Sequence, residues 1–303
     1  MKHPVITAGA RHTAPAWIVA MPAVFVVLWS SGFVGAKFGL PYAEPFTFLL
    51  WRFAIAALLL TLAAWIWRAR WPQTGREAGH IVLAGLLVHA GYLGGVFGAI
   101  HRQVSAGEMA VIAGLQPVLT ALLAGPFLGE RISARQWLGV VLGFLGVVLV
   151  VFERIAPAQT DAGGYLFAAF ALASITSGAL YQKRFCSHMD LRSGGAIQFA
   201  VSTLVMAAAA GLFETMSVEW SGEFIFALAW LVVVLSLGAI TLLYLLIRHG
   251  EAARVTSMFY LVPPVTAIMA SSFFGERLSP FALIGMALTV LGVALVVVRS
   301  RPS

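Results

Sequence analysis

The sequence predicts an all-α integral membrane protein with ten transmembrane helices in a 5+5 inverted-topology repeat, and three observations carry that expectation. Of 303 residues, 60% are apolar and 10% charged, against about 25% charged in an ordinary soluble chain, so the chain cannot clothe itself in a polar surface. Apolar runs recur at near-regular intervals, each close to the roughly 20 residues that a bilayer-spanning helix needs. Residues 106–151 also return as residues 252–297 with no gap, at a constant shift of 146. That shift puts Pro117 on Pro263, Thr120 on Thr266, Gly129-Glu130-Arg131 on Gly275-Glu276-Arg277, Ser133 on Ser279 and Gly146 on Gly292. Carried back to the start of each half, it puts Ser31-Gly32 on Ser177-Gly178, Lys37 on Lys183 and Arg102 on Arg248. Such a duplication governs every later reading.

Taken in order, the spans are expected at about 17–37, 45–67, 79–100, 106–127, 133–152, 163–183, 194–213, 224–247, 252–274 and 280–298. Lys2 and Arg11 precede the first run as they would a secretory signal. That run is too long for a signal core, however, and it has a repeat partner at 163–183. The connections are short and polar, so residues 1–303 are read as one transmembrane domain, with repeat one at about 17–152 and repeat two at about 163–298. At the repeated corners, Ser133 with Gln136 has capping-box spacing, Ser279 precedes Pro280 at a first helical position, and Gly129 and Gly275 stand where a helix must stop. Gly91, Gly94, Gly95 and Gly98 in the third span, and Gly139, Gly143 and Gly146 in the fifth, allow close helix contact in lipid.

Five spans per repeat is an odd number, so the second half must lie inverted. With both termini cytoplasmic, fourteen Lys and Arg fall on cytoplasmic segments. Four (Lys37, Arg102, Arg154 and Arg277) fall on the opposite side, and Arg52 lies within a span. That bias sets the orientation of a multi-pass protein of the cytoplasmic membrane. The net charge of +7 is scattered singly along the chain, which excludes a nucleic-acid patch. Cys186, the single cysteine, cannot form an internal disulfide and is read as a buried or loop-borne inert thiol, and its place in the loop after the sixth span makes it a native probe of orientation. No Asn is present, so N-linked glycosylation is excluded.

Polar groups at membrane depth are costly and tend to be functional. They are Trp29, Ser30 and Ser31 in the first span, His89 and Tyr92 in the third, Gln116 in the fourth, Thr176, Ser177 and Tyr181 in the sixth, Thr241 and Tyr244 in the eighth, and Tyr260 in the ninth. Pro117, Pro263 and Pro264 interrupt helices at matching places in the two halves, removing backbone hydrogen bonds. Broken helices of this kind line the midplane sites of secondary transporters. His89 is the only midplane group that titrates near neutrality. No Asp or Glu lies in mid-span, Glu108 being nearest and close to an outer end. Arg52 is expected to snorkel outward or to pair with a helix end. The expected solute site is therefore Trp29, Ser30, His89, Tyr92, Gln116, Thr176, Ser177, Tyr244 and Tyr260, with the three prolines as helix breaks or gating points. Aromatic walls and hydroxyls without a buried formal charge suit a neutral or zwitterionic small molecule. No cofactor or metal site is expected. Walker-type loops, HExxH and mid-span carboxylate pairs are absent, so enzymatic chemistry is poorly supplied, and a membrane-embedded enzyme or a helper subunit of a membrane complex stands only as the alternative reading.

The whole chain resembles the ten-helix EamA-type carriers of the drug/metabolite transporter superfamily, on LWSSGFVGAKFGLPYAEPFTFLLWRFAIAALLL, the GERIS and GERLS corners and the 5+5 repeat. Within that superfamily it is similar to YddG-type amino acid exporters. The resemblance implies a central cavity lined by spans one, three, four, six, eight and nine, with five and ten peripheral. It also implies a secondary transporter that exports small metabolites, amino acids foremost, across the cytoplasmic membrane by alternating access. Its partners would be the solute and the lipid bilayer, and a homodimer is compatible with it.

Overall fold

Helices start where the chain supplies a cap and stop where a polar corner interrupts the apolar run. The structure, a computed structural model, describes residues 16–128, 133–155, 162–239, 242, 259–276 and 279–297. In chain order the spans are α1 (Ala16–Gly39), α2 (Pro45–Ile66), α3 (Gly75–His101), α4 in two pieces (Ala106–Ala113 and Gln116–Leu128) and α5 (Ala134–Ile155). The second half continues with α6 (Ala162–Phe185), α7 (Leu191–Phe213), α8 (Gly222–Ala239), α9 (a 3-10 turn Phe259–Leu261 running into Val262–Phe274) and α10 (Pro280–Val297). The expected ends of spans eight and nine, with Thr241, Tyr244 and Arg248, lie outside the described residues, as do Gly129, Glu130, Arg131 and Arg277. Five of the described helices, α2, α3, α6, α7 and α8, are long and apolar enough to cross a membrane.

α3 and α7 begin at Gly75 and Leu191, well before the 79 and 194 that hydropathy predicts, because caps rather than apolar residues set the start. The Thr74 hydroxyl accepts from the Glu77 amide at 3.1 Å, and the Glu77 carboxylate accepts from the Gln73 amide at 2.9 Å, which adds a polar first turn to α3. Asp190 caps α7 by accepting from the Arg192 amide at 2.9 Å. Hydrogen bonds from the Arg192 side chain and backbone hold that carboxyl below the usual Asp range. Other caps fall where the sequence placed them. Ser133 and Gln136 bond reciprocally, the Ser279 hydroxyl accepts from the Ala282 amide at 3.0 Å, and Gly275 ends α9 in the left-handed region at φ 64°.

The packing is built from repeat mates. α2 lies along α7, and α5 lies along α10, each helix against its own counterpart from the other half. The α5–α10 seam is made of glycine. A Cβ on Gly292 would stand 2.5 Å from both the Gly139 carbonyl and the Gly143 amide, so the two backbones touch there and no larger residue fits. This pair rests chiefly on α4 and α9, and the α2–α7 pair rests chiefly on α3 and α8. The remaining six helices, α1, α3, α4, α6, α8 and α9, pack on one another between the two pairs. Gly95 brings α3 onto α6, where an added Cβ would lie 2.7 Å from the Phe167 carbonyl.

The α1–α2 turn is zipped to the α7–α8 loop. Glu214 carboxylate oxygens accept from the Phe46 and Thr47 amides at 2.7 Å and from the Thr47 hydroxyl at 2.8 Å, closing the open N-terminus of α2. In return the Glu44 carboxylate accepts from the Thr215 hydroxyl and amide, both at 2.7 Å, which holds its pKa below the usual Glu value. On the opposite face, the hydroxyl of Ser193, the repeat mate of Thr47, donates to the Arg70 carbonyl and ties α7 to the α2–α3 loop.

Candidate functional site

Both proline-bearing spans are interrupted, at repeat-related positions. α4 breaks at Gly114–Leu115, just before Pro117, and α9 passes through the 3-10 turn just before Pro263 and Pro264. Proline lacks an amide hydrogen, so the carbonyls one turn earlier lose their helical donors. The two breaks meet. A Cβ on Gly114 would stand 3.1 Å from Pro263 Cγ, so a side chain there would strike the proline ring of the other half. α1 is fastened to this crossing, since the Ser30 hydroxyl donates to the Val262 carbonyl at 3.3 Å. Trp29, Phe25 and Phe259 form a ring cluster with centroids 5.3–5.4 Å apart. The hydroxyl of Ser31, next in the chain, donates to the Leu28 carbonyl at 2.6 Å and accepts from Trp230 Nε1 at 2.9 Å.

A second locus lies where α3 and α8 change register. Leu86–Gly91 in α3 and Trp230–Ala239 in α8 are π-helical, and the shift of 146 carries the first segment onto residues 232–237 of the second. Such π segments widen the helix by one residue per turn and cluster at functional sites. His89 sits in the α3 segment with its ring stacked on Phe199 at 4.1 Å and 6.2 Å from Phe53, and Phe53 and Phe199 are themselves repeat mates 5.6 Å apart. Tyr92 follows directly and is buried. Arg52 of α2 reaches the α8 segment, donating from Nε and Nη2 to the Ser236 hydroxyl at 3.4 and 3.3 Å, with its guanidinium 6.0 Å from the Phe97 ring.

The expected site residues that are described fall as follows. Trp29, Ser30 and Pro263 gather at the crossing, together with half-buried Gln116 and Pro117 in the facing break, while His89 and Tyr92 belong to the π locus. The Thr176 hydroxyl is spent on the Leu172 carbonyl of its own helix at 2.7 Å, and Ser177 lies on an exposed face of α6. Tyr244 and the Tyr260 side chain lie outside the described residues. Three expectations are corrected. Arg52 neither snorkels nor joins a helix end: it is 6% exposed, because a hydroxyl and an aromatic face are available to it inside the protein. The polar interior consequently does contain a formal charge. Cys186 is the inert thiol expected, buried in the loop after α6, and only its use as a native probe is corrected. It is 6% exposed beside Ile81 and Ala84, and burial, with Glu77 nearby, pushes its pKa up.

Sequence reasoning also missed a charge pair. The Lys37 ammonium at the end of α1 donates to the Glu276 carboxylate at the α9–α10 corner, and lies 4.9 Å from the Phe274 ring centroid. The same carboxylate oxygen accepts from the Ala106 amide at 3.4 Å, at the start of α4. Three helix ends are thus drawn together over the crossing of α4 and α9. Among the described residues, no three His, Cys, Asp or Glu side chains gather as metal ligands.

Comparison with known proteins agrees with this architecture. The model of the EamA-like transporter family matches twice, over residues 16–152 and 162–298. The chain is 27% identical over 283 residues to the uncharacterised transporter YvbV of Bacillus subtilis, covering 92% of this chain and 91% of that one. It is 25% identical to the uncharacterised inner membrane transporter YedA of Escherichia coli over 89% of this chain and 87% of the relative. It is also 27% identical to a probable terminal-alkyne amino-acid exporter of Streptantibioticus cattleyicolor, over 89% of this chain and 90% of the relative. A solved crystal structure with 20% sequence identity superposes with a TM-score of 0.64 over 93% of this chain and 96% of its own, which bears on the fold alone. With the family model matched in both halves, the chain belongs to the EamA-like transporter family and is a membrane transporter.

Proposed function

We propose that this protein is a secondary carrier, not an enzyme, that exports small metabolites, foremost amino acids, across the cytoplasmic membrane by alternating access, with both termini cytoplasmic. The observation that carries the reading is the meeting of two repeat-related helix breaks, Gly114–Leu115 against Pro263. Freed backbone groups and helix ends at the junction of two inverted halves supply dipoles for a polar solute, and exchange of conformation between the halves generates the opposite-facing state. Lys37, Glu276 and Ala106 lie at the end of the crossing that the charge bias assigns to the outside, so the pair closes that end. Amino acids are favoured by the relative named as a probable amino-acid exporter.

Purified protein in liposomes tests this. Counterflow of one or more labelled amino acids without added subunits, impaired in Trp29→Ala and Gln116→Ala variants that still purify as stable species, is the expected result. Wild-type flux in both variants would move the site elsewhere, and absence of flux for every amino acid would overturn the substrate class.

A further inference from the structure

Arg52 carries a fixed charge in the membrane-embedded interior with no carboxylate opposite it among the described residues. It is 6% exposed, and its hydrogen bonds go to a single acceptor, the Ser236 hydroxyl, at 3.4 and 3.3 Å. A guanidinium presents five N–H donors in a fixed fork, so among the described residues most of its capacity is unused, and its charge meets the Phe97 ring at 6.0 Å and no anion. Charges at this depth are retained where they pair or serve a solute path.

The repeat supplies a control. The shift of 146 places Gln198 of α7 at the position of Arg52 in α2, with Phe199 beside it on Phe53. Gln198 packs on the α3 helix just where its π segment begins, its Cα 2.7 Å from a Cβ built on Gly85. The Gln198 amide itself donates to Gln182 Oε1 at 3.5 Å and to Met189 Sδ at 3.9 Å. At this position the second half keeps a buried polar group that carries no charge. Holding α2 to α8 accounts for a polar group at position 52, and leaves its charge unexplained.

Resting on the reading of the chain as an amino-acid carrier, we infer that Arg52 recognises the carboxylate of the transported solute. The Ser236 hydroxyl holds the guanidinium fork at the α8 π segment, and the carboxylate takes up the free donors in the bidentate geometry that arginine favours.

The test is counterflow in proteoliposomes, using whichever labelled amino acid the wild type moves fastest, with the unlabelled acid and its carboxamide as competitors. In the wild type the acid should compete at least tenfold better than the amide. In Arg52→Gln the acid should weaken at least tenfold while the amide is unchanged, and Arg52→Lys should fall between. Equal competition by acid and amide in the wild type overturns the inference, as does equal weakening of both in Arg52→Gln, and in either case the carrier reading stands. If Arg52→Gln fails to insert, the wild-type ratio and Arg52→Lys decide. Absence of any amino-acid flux in the wild type removes the carrier reading and this inference with it.

Discussion

Removing either partner of the Lys37–Glu276 pair should raise the population of the outward-open state. Glu276 is 10% exposed and Lys37 32%, so the pair falls between exposed pairs, worth about 0.2–1 kcal/mol, and buried ones, where loss of a single partner costs about 3–5 kcal/mol. A cost of about 1–2 kcal/mol is therefore expected, which changes a two-state ratio by a factor of about 5–30. Glu276→Gln should act more strongly than Lys37→Gln, because the carboxylate also serves the Ala106 amide at the N-terminus of α4, where a negative charge adds about 0.3–1 kcal/mol. The reporter is a cysteine at Ala110, buried one turn below Ala106 on the same side of α4, in a Cys186→Ser background. Its alkylation from outside by an impermeant thiol reagent should accelerate by that factor in each single variant. The double variant should gain little beyond Glu276→Gln, because the interaction is already lost. An unchanged alkylation rate in both single variants would refute the reasoning.

Three further outcomes are expected. Native Cys186 should alkylate at least tenfold more slowly than a cysteine placed at exposed His188 in Cys186→Ser protein, because burial both covers the thiol and raises its pKa. The His188→Cys thiol should react in inside-out vesicles only, and labelling in intact cells would reverse the proposed orientation. The Glu44 clasp on Thr215 should loosen in acid. Its folded pKa is depressed by the Thr215 hydrogen bonds, so the contribution is complete above the ordinary Glu value near 4.5 and fades as pH falls through the lower folded value. Glu44→Gln should therefore melt below the wild type at pH 7 and approach it below about pH 4, and a constant difference across that range would remove the clasp from the account.

Features encoded by local chemistry were legible in the sequence, and features encoded by distant pairing were not. Glycine spacing in the fifth span anticipated the α5–α10 seam, because a missing side chain has the same consequence wherever its partner lies. Pro117 and Pro263 anticipated the helix breaks, since a lost amide hydrogen is a property of the residue itself. The Thr74-x-x-Glu77 spacing lies outside the span expected from 79, because hydropathy marks where a helix enters the apolar layer and not where its hydrogen bonds begin. The π segments left no compositional trace, because an extra residue per turn is chosen by packing. Lys37 and Glu276 stand 239 residues apart, and nothing in either neighbourhood names the other.

Arg52 is the instructive case, because the expectation that it would snorkel considered the residue alone. Snorkelling relieves a charge when water is the best acceptor within reach of the side chain. The same duplication that fixed the fold offered a better guide: an arginine in one peripheral span and a glutamine at the matching place in the other mark a position where both halves keep a polar group inside an apolar helix. Inverted symmetry turns one such position into two facing sites, and any difference between mates isolates what packing alone does not require. At Phe53 and Phe199 the mates are identical and the rings touch across the pseudo-axis. At Arg52 and Gln198 they differ by one full charge, and that difference is the place to look for what distinguishes the solute.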